Sequence, residues 1–428
     1  MTDSSARSWL SGTACGLLLV AGALVMLPNG DLHQLGNVPV FLLGAGLMLV
    51  GFFSALGRIK IPLAVIAVTA VAVRLILLWQ VPGGDIFRYV WEGKLLLGQI
   101  NPYLHAPDAP ELIPLRNAIW ESVEHKTFSA IYPPLAEVVF ALLAFVSSST
   151  IFFKLAITAA DLLTGGLLWR RFGGRGALLY LWNPLVIYSF AGGGHYDSFF
   201  LLALVGGWIA WEAGKTGRAI LLIGAAVALK WMALPILAWA VWRILLTRGP
   251  RAGILAGLTG AAPMAISWLA ISLWTGEWAS RLYPPQFTEY ARSTELIPRI
   301  VGWLWEESRY HNTWFLPPLA VAWTVVILRA HSFATAAEWA LFFALILSPM
   351  VHAWYFVWLF PFAVATRNLG TILLSASGFV YFVVYHRLHA EPAVGWSFTP
   401  LEITLLWMPF VIGFLRTYLR SERPAPSP

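Results

Sequence analysis

Apolar stretches close to twenty residues recur along almost the whole chain, parted by short polar or Gly/Pro-rich breaks. At about 1.5 Å of rise per residue, a helix of that length crosses a bilayer core of about 30 Å. A membrane β-barrel would instead show weak alternation in segments of about ten residues. The pattern predicts helices over 11–28, 39–56, 61–81, 151–169, 176–191, 197–213, 219–230, 233–247, 252–274, 313–329, 335–350, 353–366, 369–387 and 400–418. That makes fourteen crossings or part-crossings. Segments 219–230 and 233–247 are short; twelve residues reach only about 18 Å. Half-helices of this kind are tolerated where they line a cavity. The apolar run closing "IYPPLAEVVFALLAFV" is also too short to span and suits a helix lying in the interface.

Composition agrees with this picture. The chain is 59% hydrophobic and 11% charged, whereas soluble domains carry about 25% charged residues. The expected class is an all-α polytopic membrane protein. Its net charge of +7 does not indicate nucleic acid, because the basic residues are spread over many short loops.

Their distribution bears on topology instead. With the N-terminus inside, the segments "GRIK", "WRRFGGR", "KTGR", "WRILLTRGPR", "ILRAH", "TRN" and "RTYLRSER", together with Arg7, hold sixteen Lys/Arg against one acid, Glu422. This satisfies the positive-inside rule and predicts cytoplasmic termini in a cell-membrane protein. Asp85, His195, Asp197, Lys230, Glu277, Glu289, Arg292 and His352 then fall on the outer side, so a site is expected to open outward. The expected division is N-terminal membrane helices over 1–81, an outer loop with interfacial helices over 82–150, a membrane core over 151–418 carrying a second outer loop at 275–312, and a disordered cytoplasmic tail over 419–428. The first run, 11–28, reads as a retained signal anchor. Cys15 is the sole cysteine, so no intramolecular disulfide forms. "YPP" occurs twice, at Tyr132 and Tyr283, and reads as a chance repeat.

The charge-poor chain concentrates polar groups in a few places. "GGDIFRYVWEGK" breaks a helix and offers Asp85 as the N-cap of the next. On that helix Asp85, Arg88, Tyr89 and Glu92 share one face. A carboxylate there can take a proton from a hydroxyl, and a guanidinium can hold a phosphate; a cap with a surface ion pair is the plainer alternative. "AGGGHYDSFF" carries His195 and Asp197 after three glycines that admit close backbone approach, or is simply a capped loop. Lys230 in "ALKWMALP" sits between the two half-helices, where a cation needs a cavity, an anion or a snorkelling path to the interface. Arg74 and Asp161 lie deeper and are expected to pair with other buried groups. "HAWYFVWLFP" places His352 beside Trp354, Tyr355 and Trp358. Such aromatics commonly form the interfacial belt; here they also suit stacking on a sugar. No metal-ligand spacing, P-loop or G-x-G-x-x-G element occurs. A divalent ion would have to be assembled by the fold, and no cofactor is expected.

With these motifs in order, the chain resembles the GT-C membrane glycosyltransferases. The likeness is to the polyprenol-phosphate-mannose-dependent group that includes PIG-M and PimE. It rests on "D-x-x-R-x-x-x-E-G" (Asp85 to Gly93), "NPY" (Asn101 to Tyr103), "YPPL" (Tyr132 to Leu135), "DLLTGGLL" from Asp161, "WNPL" from Trp182 with "GHYD", "ALKWMALP" and "HAWYFVWLFP", over roughly residues 82–362. The resemblance implies a GT-C-type fold with about 12–14 membrane helices. It implies inverting transfer of a hexose, mannose by analogy, from a polyprenyl-phosphate-sugar donor to a glycolipid or glycan acceptor on the extracytoplasmic face. Asp85 matches the base, and Arg88, Lys230 and His352 match positions near the donor phosphate. Tyr89, Glu92, Tyr132, His195, Asp197, Trp354 and Tyr355 are the expected substrate contacts. Two features depart from the group: only Asp85 stands where some members carry D-x-D, and the acidic loop follows a third span rather than a first. The alternative function is a transporter or flippase for a lipid-linked sugar, with Asp161 and Arg74 as a buried relay. A non-catalytic scaffold leaves the clustered outer charges without a purpose.

Overall fold

The computed structural model describes residues 3–57, 61–280, 289, 291–391, 393 and 395–421; among them only helices, turns and extended connections occur, with no strand. The second "YPP" at Tyr283, most of the "GRIK" loop and residues 422–428 of the expected tail lie outside the described residues. The last helix, Pro400–Ser421, takes in the first three residues of that tail.

Among the described residues seven helices are long and apolar enough to cross a membrane: Ser8–Asn29, Asn37–Leu56, Thr150–Gly174, Trp231–Arg248, Pro250–Thr275, Leu369–Ala390 and Pro400–Arg420. Shorter apolar helices, among them Leu63–Leu77, Thr216–Leu229, Phe333–Leu347 and Ala353–Thr366, accompany them. The expected count of fourteen therefore resolves into long spans and part-spans. Local chemistry explains the difference. The helix α7, Thr150–Leu181, kinks at Gly173 (φ 74°), within the "RRFGGR" segment. The expected span 176–191 is not one helix. It breaks at Asn183–Pro184, where the Asn183 side chain accepts from the amides of Leu185 and Val186. The chain then resumes as a single turn, Pro184–Ile187, and a π turn, Tyr188–Gly192. The two segments meet at Lys230 as expected, and its backbone is extended, but only α10 (Thr216–Leu229) is short: a tight turn, Trp231–Ala233, runs into α11 (Leu234–Arg248), and the two together are long enough to cross.

The loop 82–150 folds as α4 (Asp85–Leu97), a short turn of helix, Ala118–Glu121, and α6 (Pro134–Val146). The helices α4 and α6 pack backbone to backbone. A Cβ built on Gly93 would lie 2.5 Å from the carbonyl oxygen of Phe140. Gly93→Ala is therefore expected to force them apart. Overpacking of this kind costs about 1–3 kcal/mol, read as a lower melting temperature in detergent. An unchanged melt would mean that the contact is not tight.

One polar connection lies within the core and a second fixes the loop to it. Arg74, on the helix Leu63–Leu77, meets Asp161 of α7 at 2.5 Å with both side chains fully buried, and its Nη1 donates to the carbonyls of Ala70 and Leu181. This is the buried pairing the sequence led one to expect. At the end of the helix Pro250–Thr275, Glu277 accepts from the Asn101 amide at 3.2 Å and contacts His105 Nε2 at 3.1 Å. The Trp274 indole donates to the carbonyl of Leu96 at 2.7 Å. The segment that leaves this helix is thus latched onto the loop 82–150.

Candidate functional site

The site grows from two glycine-rich breaks held together. The amide of Gly83 donates to the carbonyl of Gly193 at 2.9 Å, so "PGGD" and "GGGHYD" lie side by side. Gly194 has φ 74°, and a Cβ there would come within 2.8 Å of Ile86, which only glycine avoids. Asp85 is not the N-cap expected of it. Gly84 occupies that position, Asp85 is the first helical residue, and no side chain caps the helix. The carboxylate turns instead to the neighbouring break, where Asp85 Oδ2 lies 3.3 Å from His195 Nδ1.

From His195 the contacts continue as a column of rings. Its imidazole stacks on Trp354 at 3.8 Å, and Trp354 stacks on His352 at 4.5 Å with the planes only 5° apart. His352 Nδ1 meets the Tyr381 hydroxyl at 2.7 Å. Beside the column, Lys230 Nζ donates to Asp197 at 2.6 Å, and the Trp358 indole donates to the same carboxylate oxygen at 2.7 Å. Lys230 also lies over the rings of Tyr196, Tyr355 and Trp358, 4.6–5.2 Å from their centroids. Five expected site residues from distant parts of the chain, Asp85, His195, Lys230, His352 and Trp354, therefore converge. Asp197 and Tyr355 hold Lys230 among them.

The electrostatics follow from this crowding. Desolvation by the surrounding protein pushes the Asp85 carboxyl up, but the His195 imidazole and the charges of His352 and Lys230 outweigh it and hold Asp85 below its ordinary 3.8. Its side chain keeps 35% exposure, so an ionised carboxylate stays open to solvent. Burial lowers His352 to about 4, assisted by His195 and Lys230 and opposed by Asp85. His352 is a neutral imidazole at physiological pH. Among the described residues no group of three or more His, Cys, Asp or Glu gathers as metal ligands.

An ionised acid, a neutral histidine and an aromatic-caged lysine in one place suit a group transfer that needs a base and a cationic anchor for an anionic leaving group. Residues 8–246, more than half of the chain, match the family MptA_B, described as alpha-(1->6)-mannopyranosyltransferase, N-terminal domain. The chain belongs to this mannosyltransferase family. No curated protein and no solved structure matches it. The matched span includes Asp85, His195, Asp197 and Lys230 and ends before His352, Trp354 and Tyr381.

The rest of the first-loop motif is buried. Arg88 pairs with Glu92 at 2.8 Å and donates to the carbonyls of Glu124, His125 and Phe128. Glu92 is almost fully buried, and burial raises its carboxyl above the ordinary value despite the pull of Arg88. Tyr89 and Tyr132 are buried in an aromatic cluster with Phe140 and Tyr196, edge-to-face except where Tyr89 stacks on Phe140.

Three neighbours escaped the sequence reading. Tyr381 sits in an ordinary apolar span with no local sign that its hydroxyl meets His352. Glu137, fully buried on α6, stands beside Glu92 and shares the Arg88 charge. Glu124 approaches Gly84, and its carboxyl is raised by desolvation and by the Asp85 charge. Its only sequence signal was membership of the polar run "ESVEHK".

Proposed function

We propose that the protein is an inverting, GT-C-type mannosyltransferase that draws on a polyprenyl-phosphate-mannose donor at the outer membrane face. One observation carries this reading: the Asp85 carboxylate shares a site with the His195–Trp354–His352 column and with Lys230. Asp85 accepts the proton of the acceptor hydroxyl as its oxygen bonds to C1 of the mannose. The bond from C1 to the phosphate oxygen breaks in the same step, and the electron pair leaves with the phosphate. Because the carboxylate is a weak base, the proton moves only as the new bond forms. Attack from the opposite face inverts C1, so the α-(1->6) product of the family's description requires a β-linked donor.

Lys230 and His352 serve the leaving phosphate. An ammonium has three donors, and Asp197 engages Lys230 without exhausting them. Trp354 and Tyr355 offer ring faces to the sugar, and His195 orients Asp85. Tyr89, Glu92 and Tyr132 act from beneath, as the packing that carries α4. Arg88 departs from the role that the resemblance implied, because its hydrogen bonds to three loop carbonyls make it the residue that ties the first outer loop down. The acceptor is a glycolipid or glycan at the outer face. For the transporter alternative the structure offers Arg74 and Asp161, fully buried and bonded to each other; the transferase reading is preferred on the gathering of Asp85, His195, Lys230 and His352.

The test uses purified protein in nanodiscs with polyprenyl-phosphate-[13C]mannose and a mannosylated lipid acceptor. New α-(1->6) mannose in the carbon spectrum is expected. Transfer from a nucleotide sugar alone, or mannose moving across liposomes with no new glycosidic bond, overturns the reading. The pH profile follows from the same groups. Asp85, held low, is ionised above its depressed value and loses its charge only as pH falls through it. The acid limb of kcat/KM is therefore expected at or below about pH 4, where His352 also titrates. An acid limb near neutrality would assign the base elsewhere.

A further inference from the structure

A second cluster of cations lies outside the site described above. Arg292, Arg299 and Arg309 line a cavity of about 290 Å³ with Glu295, Gly302 and Trp303. The three guanidiniums face one carboxylate. Glu295 lies 3.7 Å from Arg299 Nε, an ionic contact too long for a hydrogen bond. The remaining partners are backbone carbonyls: Arg299 donates to Phe398, Arg309 to Gly302, and Arg292 to Ser308. Arg292 Nε and Arg299 Nε are buried with no hydrogen-bond partner. Buried donors without acceptors are costly, and an oxyanion filling the cavity would satisfy them. Burial, together with the Arg309 and Arg299 charges, lowers Arg292 against the pull of Glu295, consistent with positive charge in excess there.

The surroundings indicate what carries the anion. The helix Ile297–Leu304 forms one wall, and its exposed side chains are apolar: Ile300, Trp303 and Leu304, the last 85% exposed. Trp305 and Trp314, also exposed, continue this face. Arginines beneath exposed tryptophan and leucine match the depth profile of a phospholipid, with its phosphate at the interface and its chains beside it.

We infer that this cavity is a lipid-phosphate site, in which the three arginines grip the phosphodiester of an outer-leaflet anionic lipid while Trp303 and Leu304 lie against its chains. It rests on the outward orientation argued above and not on any catalytic role. The cavity wall is bonded to the segment that bears His352. The amide of Ser293 donates to the carbonyl of Pro349 at 3.2 Å, and the Thr294 hydroxyl donates to that of Val351 at 2.6 Å. A lipid seated there would brace one side of the reaction centre.

The test needs no sugar. Full-length protein in phosphatidylcholine nanodiscs is titrated with brominated phosphatidylglycerol, and tryptophan quenching is read; inorganic phosphate is titrated separately as competitor. Saturable quenching is expected with phosphatidylglycerol and not with brominated phosphatidylcholine. Arg309→Gln, an exposed substitution, is expected to weaken it at least tenfold. Arg292→Gln is expected to do the same where it folds. Trp303→Ser is expected to weaken lipid binding and leave phosphate binding unchanged. Equal quenching by the two lipids, or wild-type affinity in Arg309→Gln, overturns the site. Inorganic phosphate binding as tightly as the lipid overturns the lipid assignment. Neither outcome bears on whether Asp85 is the base.

Discussion

Asp85→Asn is expected to lower mannosyl transfer by about 10²–10⁴-fold, the usual contribution of a positioned general base. The substitution keeps shape and volume and removes only the ability to hold a proton. The fold is expected to survive, because the carboxylate caps no helix and its ion contact is a single one, to His195 at 3.3 Å. A melting curve within a degree or two of wild type, together with lost transfer, is the signature sought. Asp85→Glu is expected to retain partial activity, since the base remains but its reach changes. Transfer within a few-fold of wild type in Asp85→Asn would remove this residue from the chemistry.

The second large effect is expected at Lys230. Asp197 is almost fully buried and has two partners, Lys230 and the Trp358 indole. Lys230→Met leaves that carboxylate with a neutral donor alone. Breaking a buried pair from one side costs about 3–5 kcal/mol, so poor yield or a sharply lower melting temperature is expected. Lost activity in that variant would be ambiguous by itself. The double substitution Lys230→Met with Asp197→Asn removes both charges and is expected to recover most of the melting temperature. Transfer is expected to stay low, because the leaving phosphate has lost its cation. Recovery of transfer with stability would show that Lys230 serves only to balance Asp197.

How much of this was legible in the chain depended on whether the signal was local. Lys230 was visible because a lysine between two short apolar runs breaks both the hydropathy and the helix, and the structure puts an extended residue there. Asp85 and His195 were visible as polar groups after glycines, although their mutual contact was not. The capping role given to Asp85 failed because sequence spacing cannot say that a second glycine-rich break lies alongside and supplies a stronger partner. Arg88 was misleading for a similar reason: its partners include three backbone carbonyls about forty residues further on, and main-chain acceptors leave no mark in a sequence. Tyr381 was hidden by its apolar span. The all-helical membrane fold followed from hydropathy alone. The number of full crossings did not, since breaks such as Asn183–Pro184 interrupt a segment without changing its apolar character.

The ring column has a consequence for how the chain is divided. Its acid and lysine come from the portion shared with the family, residues 8–246. Its far rings, the Tyr381 hydroxyl and the indole over Asp197 come from residues 352–381. The proposed reaction centre is thus a seam between two parts of one polypeptide, and on that proposal neither part carries it alone. A deletion inside one of the packed helices between them is expected to shift one face against the other and lower transfer from a distance, whereas a change of length in an exposed connection is expected to be absorbed.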